Sequence, residues 1–369
     1  MIRRVDKLFR VSTLRQCGSW LLATILIAGT LIHMPVWADD HGRETNPDDS
    51  NTQHDQKAAA TLLQEMNAAF GQLNYDGIFS YLNGNQLTTL RVVHKLIDGQ
   101  QRERLVHLNG APREIVRSGE GVSRIVMPGD DLLALEESIP AGPFTRAFVP
   151  DFERMADTYT VGKFGQGRIA GRMATRIAVQ PQDHHRYGYR LWLDQQTSLL
   201  LRSELVDQGG SRLEIFMFNQ LRLGDEVEDS ALTPATAKDS QISHLTLAPA
   251  MAAKAVELVT EQSQWAAGWL PPGFAMAAAD NRQKPGSGLP VSSLMYSDGL
   301  AAFSIFIEPM PTYGAASMVS QNGATVAVTH TVSGQLKGDD VHFLVTLVGD
   351  IPVSTARQIA ASVYRETTP

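Results

Sequence analysis

The chain has 369 residues, with 32 Lys and Arg against 39 Asp and Glu, a formal net charge of −7. That acidic balance disfavours nucleic acid as a partner, and the length is ample for two hydrophobic cores. The single cysteine, Cys17, excludes a disulfide framework within one chain.

Residues 1–38 read as an export signal. Arg3, Arg4, Lys7, Arg10 and Arg15 make a basic start, and the apolar run from Trp20 to Ile32 is too short for a membrane span. Val36-Trp37-Ala38 supplies apolar or small groups at a signal-peptidase site, so the mature chain is expected to begin at Asp39. A mature N-terminus without cysteine argues against a lipid anchor, and an uncleaved membrane anchor is the rival reading. Removing the signal takes the net charge to about −11 and removes Cys17. Hydrophobic burial must then hold the fold, and a bacterial periplasm is the compartment that fits.

Residues 39–56 have almost no apolar content and are expected to be disordered. A helix is predicted from Lys57 to Leu73, with Asp55 as its N-cap. Leu62, Leu63, Met66, Phe70 and Leu73 recur at helical spacing and form one stripe to be buried against a sheet. Short strands follow, separated by Asn83-Gly84, Asp98-Gly99, Asn109-Gly110 and Ser118-Gly119, pairs that admit tight hairpins. Residues 128–157 contain Pro128, Pro140, Pro143 and Pro150 and read as a long excursion with one helical turn. Strands resume near Tyr159 and run to about Leu223.

Within that second run, residues 168–206 are the most informative stretch. Tyr187, Tyr189, Leu191 and Leu193 alternate with Arg190 and Asp194, and Leu201 and Leu205 alternate with Arg202 and Glu204. In the next strand Leu213 and Ile215 alternate with Arg212 and Glu214, although Phe216 and Phe218 interrupt the polar face. Alternate side chains point to opposite faces of a strand, so one apolar surface is expected from Tyr187, Tyr189, Leu191, Leu193, Leu201, Leu205, Leu213 and Ile215. Plain core packing is the competing reading for each.

The acidic run Asp225 to Asp229 marks the end of this region. Residues 237–261 read as a linker with a connecting helix, and a second domain over 262–369 opens on Trp265-Ala266-Ala267-Gly268-Trp269 and the rigid turn Pro271-Pro272-Gly273-Phe274. Three strands are predicted there, then a terminal helix from Ser354, its N-cap, to Tyr364. The division is therefore 1–38 signal, 39–56 tail, 57–236 sheet domain, 237–261 linker and 262–369 small domain.

The candidate chemistry is sparse. Gly165-Gln166-Gly167-Arg168-Ile169-Ala170-Gly171 imitates a dinucleotide loop, but a strand pattern follows where a helix N-terminus would be needed. His184-His185 beside Asp183 lacks the further ligands of a zinc site. Glu136-Glu137 and the tail histidines His41 and His54 read as solvated. No cofactor or metal is expected, which points to a binding or regulatory protein rather than an enzyme. A charge pattern stands out. Lys163, Arg168, Arg172, Arg176, Arg186 and Arg190 face one acid, Asp183, in a chain that is otherwise acidic. Such a strip could bind an acidic polypeptide or an anionic ligand, or be ordinary solvent-face charge.

The segments 102–122 (RERLVHLNGAPREIVRSGEGV) and 168–205 resemble the RseB/MucB family of periplasmic regulators of the sigma-E pathway. WLPPGF (269–274), YSDGLAAFSIFIEP (296–309) and VGDIPVSTARQIAASV (348–363) resemble the family's C-terminal domain. The resemblance implies an α+β protein. Its larger domain would be a curved antiparallel sheet forming an unclosed half β-barrel with covering helices, similar to the carriers LolA and LolB. A smaller α+β C-terminal domain would follow. It also implies binding to the periplasmic domain of the anti-sigma factor RseA, shielding it from site-1 proteolysis, with lipid, lipopolysaccharide or lipoprotein as candidate release signals. Homo-oligomerisation is left open. One departure is Ser123-Arg124-Ile125-Val126, where many relatives carry a Cys-Tyr pair, so a redox role is not carried over. The alternative function is a lipid or lipoprotein carrier of LolA/LolB type, which the appended C-terminal domain disfavours.

Overall fold

A computed structural model describes residues 49–110, 113–118, 122–127, 155, 157–233, 241–246, 264–283, 290–310, 317–336 and 339–366. The expected signal, the excursion over 128–154 and the connecting helix near 248–262 lie outside these residues.

Helix α1 (Asp49–Gln72) opens the described chain. It starts earlier than the Asp55 cap predicted for it, so part of the expected disordered tail is helical. No glycine or proline interrupts the chain until Gly71.

The first sheet has eleven strands: β1 (Tyr75–Asn83), β2 (Gln86–Ile97), β3 (Gln100–His107), β4 (Glu114–Ser118), β5 (Val122–Met127), β6 (Tyr159–Ile169), β7 (Arg172–Pro181), β8 (Gly188–Asp194), β9 (Leu200–Val206), β10 (Arg212–Leu223) and β11 (Gln241–Thr246). Their order is β11-β5-β4-β3-β2-β1-β10-β9-β8-β7-β6. The pairings are antiparallel, and β11 and β6 stand at opposite edges, so the barrel is unclosed. The glycine of Asp98-Gly99 and that of Asn83-Gly84 take positive φ, as their hairpins require. The dinucleotide-like segment is instead the end of β6 and a tight turn through Ala170 and Gly171, both with positive φ. β11 pairs with β5, so a segment read as linker belongs to the first sheet.

α1 packs on this sheet through its predicted stripe. Ala59, Leu63 and Met66 are buried with Tyr159, Ile177, Val179, Leu191, Leu193 and Leu200, and Leu62 and Phe70 flank them. Tyr75, Phe79, Leu90, Phe216 and Phe218 form an adjoining cluster with Ala69.

The second sheet contains β13 (Ala275–Gln283), β14 (Pro290–Ser297), β15 (Ala302–Met310), β16 (Val319–Asn322), β17 (Thr325–Leu336) and β18 (Asp339–Gly349). Its order is β13-β14-β15-β18-β17-β16. A short pair, β12 (Trp265–Ala267) with β19 (Val363–Arg365), lies beside it. Phe303, Ile305 and Ile307 of β15 alternate inward and pack with Leu294, Val345 and Leu347 against Ile359 and Ala360 of helix α2 (Val353–Ala361). Ser354 lies inside α2 rather than capping it; Pro352 holds the N-cap position, and Tyr364 belongs to β19. Proline before or within a first turn is tolerated because those N–H groups have no helical partner.

Candidate functional site

The apolar surface expected over β8 to β10 is divided among three environments. Leu191 and Leu193 are covered by α1. Leu201 joins the cluster of Phe79, Phe216 and Phe218. Tyr187 and Leu205 pack with Ala324 of the second sheet domain, with Tyr189 and Leu213 alongside. Ile215 points the other way. Its register partners are Glu204 and Leu82, on the face that also carries Arg202. A bulge between Arg212 and Glu214 shifts the parity of β10, so Phe216 and Phe218, each 2% exposed, turn inward instead. The expected trough is thus occupied, partly by α1 and partly by the second domain.

The six basic residues do not make one strip. Lys163 and Arg168 are exposed on the edge strand β6. Arg172 donates from Nε and Nη2 to the two carboxylate oxygens of Asp194 at 2.9 and 2.8 Å. Together with donation from Thr197, this holds the Asp194 carboxyl below its ordinary pKa against the opposing effect of burial. Arg176 lies over Phe164 at 4.2 Å and near Trp192 at 5.5 Å. Arg190 sits 3.6 Å from Glu204, which also takes Arg202 and Arg212.

Arg186 is a different case. It is fully buried where the two sheets meet. Its guanidinium lies 3.2 Å from Asp298 and 3.2 Å from Asp183, and Nη2 donates to the Pro272 carbonyl at 2.5 Å. Tyr159 and Phe274 flank it at 5.4 and 5.1 Å. Asp298, also fully buried, accepts from Tyr159 Oη at 3.0 Å and from the backbone N–H groups of Leu300 and Ala301. Gly273 allows this approach. Its φ is +84°, and a Cβ there would stand 2.6 Å from Thr158 Cγ2. Around this centre Tyr187 Oη donates to Ile351 O at 3.2 Å, and the His185 ring contacts Thr355 Oγ1 at 3.2 Å and the edge or face of Trp269. The junction partners Asp298, Pro272 and Phe274 carry no sequence signal for this role beyond the turn chemistry of Pro272-Gly273 and Asp298-Gly299.

A second polar centre joins Glu214 to Tyr81, with Asp350 of the second sheet domain acting on it electrostatically. Tyr81 Oη donates to Glu214 Oε2 at 2.9 Å, and Thr325 Oγ1 donates to Asp350 Oδ1 at 2.7 Å. Burial, followed by the Asp350 charge, pushes the Glu214 carboxyl up to about 7. Desolvation by its surroundings also raises Asp350, a residue that keeps solvent-exposed surface. Tyr187 is pushed up to about 12 by burial and neighbouring carboxylates.

Away from the junction, Asp76 ties two strands of the first sheet. It accepts from Arg91 Nε and Nη2 at 2.9 and 2.8 Å, and from Arg222 Nη2 at 2.5 Å. A cavity of about 300 Å³ beside it is lined by Arg91, Arg104, Arg222, Glu226 and Glu228, so its charges largely cancel. The hydrogen bond from Arg91 leads the groups that hold the Asp76 carboxyl low. Asp76 therefore stabilises the fold above the ordinary carboxylate range, and that contribution is lost as pH falls below it. Asp76→Asn is expected to cost about 1–3 kcal/mol at neutral pH and to flatten this acid limb, read by urea unfolding at neutral and acid pH.

Comparison with known proteins follows this architecture. Residues 58–236 match the MucB/RseB N-terminal domain and residues 259–364 the MucB/RseB C-terminal domain. The chain is 35% identical over 310 residues to the sigma factor AlgU regulatory protein MucB of Pseudomonas aeruginosa, covering 84% of this chain and 91% of that protein. It is 28% identical over 307 residues to the sigma-E factor regulatory protein RseB of Escherichia coli, covering 83% and 90%. The crystal structure of MucB in complex with MucA(peri) aligns with a TM-score of 0.66 at 31% identity, covering 84% of this chain and all of that one. The Pseudomonas aeruginosa MucA/MucB complex aligns with a TM-score of 0.67 at 33% identity, with the same coverage.

Proposed function

The chain belongs to the MucB/RseB family, and from that premise we propose that it is an exported negative regulator of a sigma factor. It holds the periplasmic domain of an RseA-type anti-sigma factor and shields that segment from site-1 proteolysis. The observation that carries this reading is the match of both domains, in order, to proteins named as sigma factor regulators and solved with a bound partner. The work is done by coverage, not by bond-making. An extended segment is protected when its backbone is held out of reach of a protease, and two docked domains offer more surface for that than one sheet. The basic residues still open to solvent on the edge strand β6, Lys163 and Arg168, are the ones we assign to an acidic partner segment. Placement in the periplasm follows from the basic and apolar pattern of residues 1–38.

A lipid or lipoprotein signal enters this scheme as a competitor. Tyr189, Leu191, Leu193 and Leu205 are the apolar groups it would have to reach, and α1 and the second domain cover them. A ligand that binds there must therefore favour a state in which one of those covers has moved.

The purified mature chain is expected to capture the periplasmic segment of its cognate anti-sigma factor and to slow its cleavage by the site-1 protease. Absence of capture would overturn the regulator. Capture without protection would leave a binding protein of another purpose.

A further inference from the structure

We propose that the face of the first sheet opposite α1 is a docking surface for an anionic bilayer, which it meets through arginines set among apolar side chains. Cross-strand pairing defines the face. One row runs Arg176–Trp192–Arg202–Met217–Ser80 across β7, β8, β9, β10 and β1. Beside it runs Arg190–Glu204–Ile215–Leu82–Leu87 across β8, β9, β10, β1 and β2. Directly paired residues share a face, and neighbouring strands lie about 4.8 Å apart, so these six strands make a surface about 24 Å wide. Leu191 and Leu193, which alternate with Arg190 and Trp192, pack under α1 on the other side.

Charge and apolarity coincide on this face. Three arginines converge on Glu204: Arg202 donates to it, and Arg190 and Arg212 lie at 3.6 and 3.7 Å. Arg176 contacts rings instead of a carboxylate, over Phe164 at 4.2 Å and 5.5 Å from Trp192. One carboxylate thus stands among four guanidinium groups, in a chain whose formal net charge is −7. The neighbouring Arg172–Asp194 pair is neutral, and Glu226, Glu228 and Asp229 gather at the far end, around Asp76 and Lys95. Arg190 and Arg212 keep 40% and 55% of their side-chain surface open. Leu87 is 60% exposed and Phe164 36%, and the half-buried Leu82 and Ile215 continue the row from Leu87 towards the arginines.

The occupant follows from the backbone. The strands from β8 to β1 are hydrogen-bonded on both sides, so no further strand can be added there, and a polypeptide laid across the face would find no backbone partners. A headgroup layer asks only for cations near its phosphates and apolar groups that can enter beneath them. Contact here leaves α1 and the leucines under it untouched, so attachment to a bilayer and entry of a lipid beneath α1 are separate events. Attachment of this kind does not depend on the regulator reading.

The test is flotation of the exported chain, residues 39–369, with vesicles of phosphatidylglycerol and phosphatidylcholine in equal parts, and with phosphatidylcholine alone. The expected result is binding to the first only, weakened by salt. Arg190→Gln and Arg212→Gln should each lower the affinity by about fivefold. Glu204 keeps Arg202 in both variants, so the fold is retained. Arg357→Gln removes the same charge from the exposed surface of α2 and should change nothing. Residues 39–369 contain no cysteine, so a dye can be placed at one site. An environment-sensitive dye at Leu87→Cys should shift to the blue on the phosphatidylglycerol vesicles, and one at Gln358→Cys on α2 should not. Failure to bind at low salt, equal binding to phosphatidylcholine alone, equal losses in Arg212→Gln and Arg357→Gln, or an unshifted dye at Leu87→Cys overturns the docking surface. So does binding of polyglutamate in place of vesicles, which would assign the face to an acidic polypeptide.

Discussion

Arg186→Ala is expected to cost about 3–5 kcal/mol and to undock the two domains. The cause is what the substitution leaves behind. Asp298 is fully buried, and without the guanidinium it would keep only Tyr159 Oη and two backbone N–H groups as donors. An uncompensated buried carboxylate is far more costly than the loss of one ion pair at a surface. The side chain also fills space between the Tyr159 and Phe274 rings and satisfies the Pro272 carbonyl, so alanine opens a hole lined with polar groups. Arg186→Lys keeps the charge but loses the fork that reaches Asp183, Asp298 and Pro272 together, and should fall between wild type and alanine. Chemical unfolding gives the cost, and limited proteolysis of the chain between residues 234 and 263 reports undocking. A loss under about 1 kcal/mol with unchanged proteolysis would mean that the pair does not hold the junction.

The contrast between Arg186 and its neighbours shows what the sequence could reveal. Counted along the chain, Arg186 is one of six bases in a row of strands. Its partner Asp298 lies in the other domain, so no local pattern separates it from Arg190 or Arg168. The stripe of α1, by contrast, is a local property, and Leu63 and Met66 are buried as the spacing predicts. Hairpin turns were legible for the same reason, since Asn-Gly and Asp-Gly encode their own backbone geometry. Alternation along β9 held, but parity along β10 failed because a bulge at Arg212 to Glu214 inserts a residue that alternation cannot see. Phe216 and Phe218 were the available signal. Two aromatics on one face outweigh Leu213 and Ile215 on the other, because aromatic rings remove more apolar surface from water. The addition of β11 to the first sheet was hidden for the opposite reason, since six residues between two proline-containing stretches carry little periodicity to read.

The helix over the first sheet yields the second large effect. Leu63→Ala is expected to cost about 2–5 kcal/mol, the range for removing a fully buried leucine side chain from a rigid surround. Leu63 has no exposed surface, and its cluster includes Met66, Ile177, Leu191, Leu193 and Leu200, so both walls of the resulting cavity are held by other elements. The damage should concentrate at the helix. α1 joins the fold through this stripe and a few polar ties, such as Glu65 accepting from Ser198 Oγ at 2.8 Å, whereas strands β7 to β9 are also hydrogen-bonded to one another. Weakening the stripe therefore lowers the free energy of lifting α1 more than that of opening the sheet. Hydrogen exchange should accelerate over residues 57–72 and stay slow in β8 and β9. The uncovered Leu191 and Leu193 should then bind an apolar fluorescent dye that the wild-type chain excludes. If a lipid signal reaches this face by displacing α1, the same variant should bind lipid more tightly and hold the anti-sigma segment less well. Faster exchange spread evenly across the sheet would instead make α1 an integral part of the core, and would move the route of any lipid to the second domain.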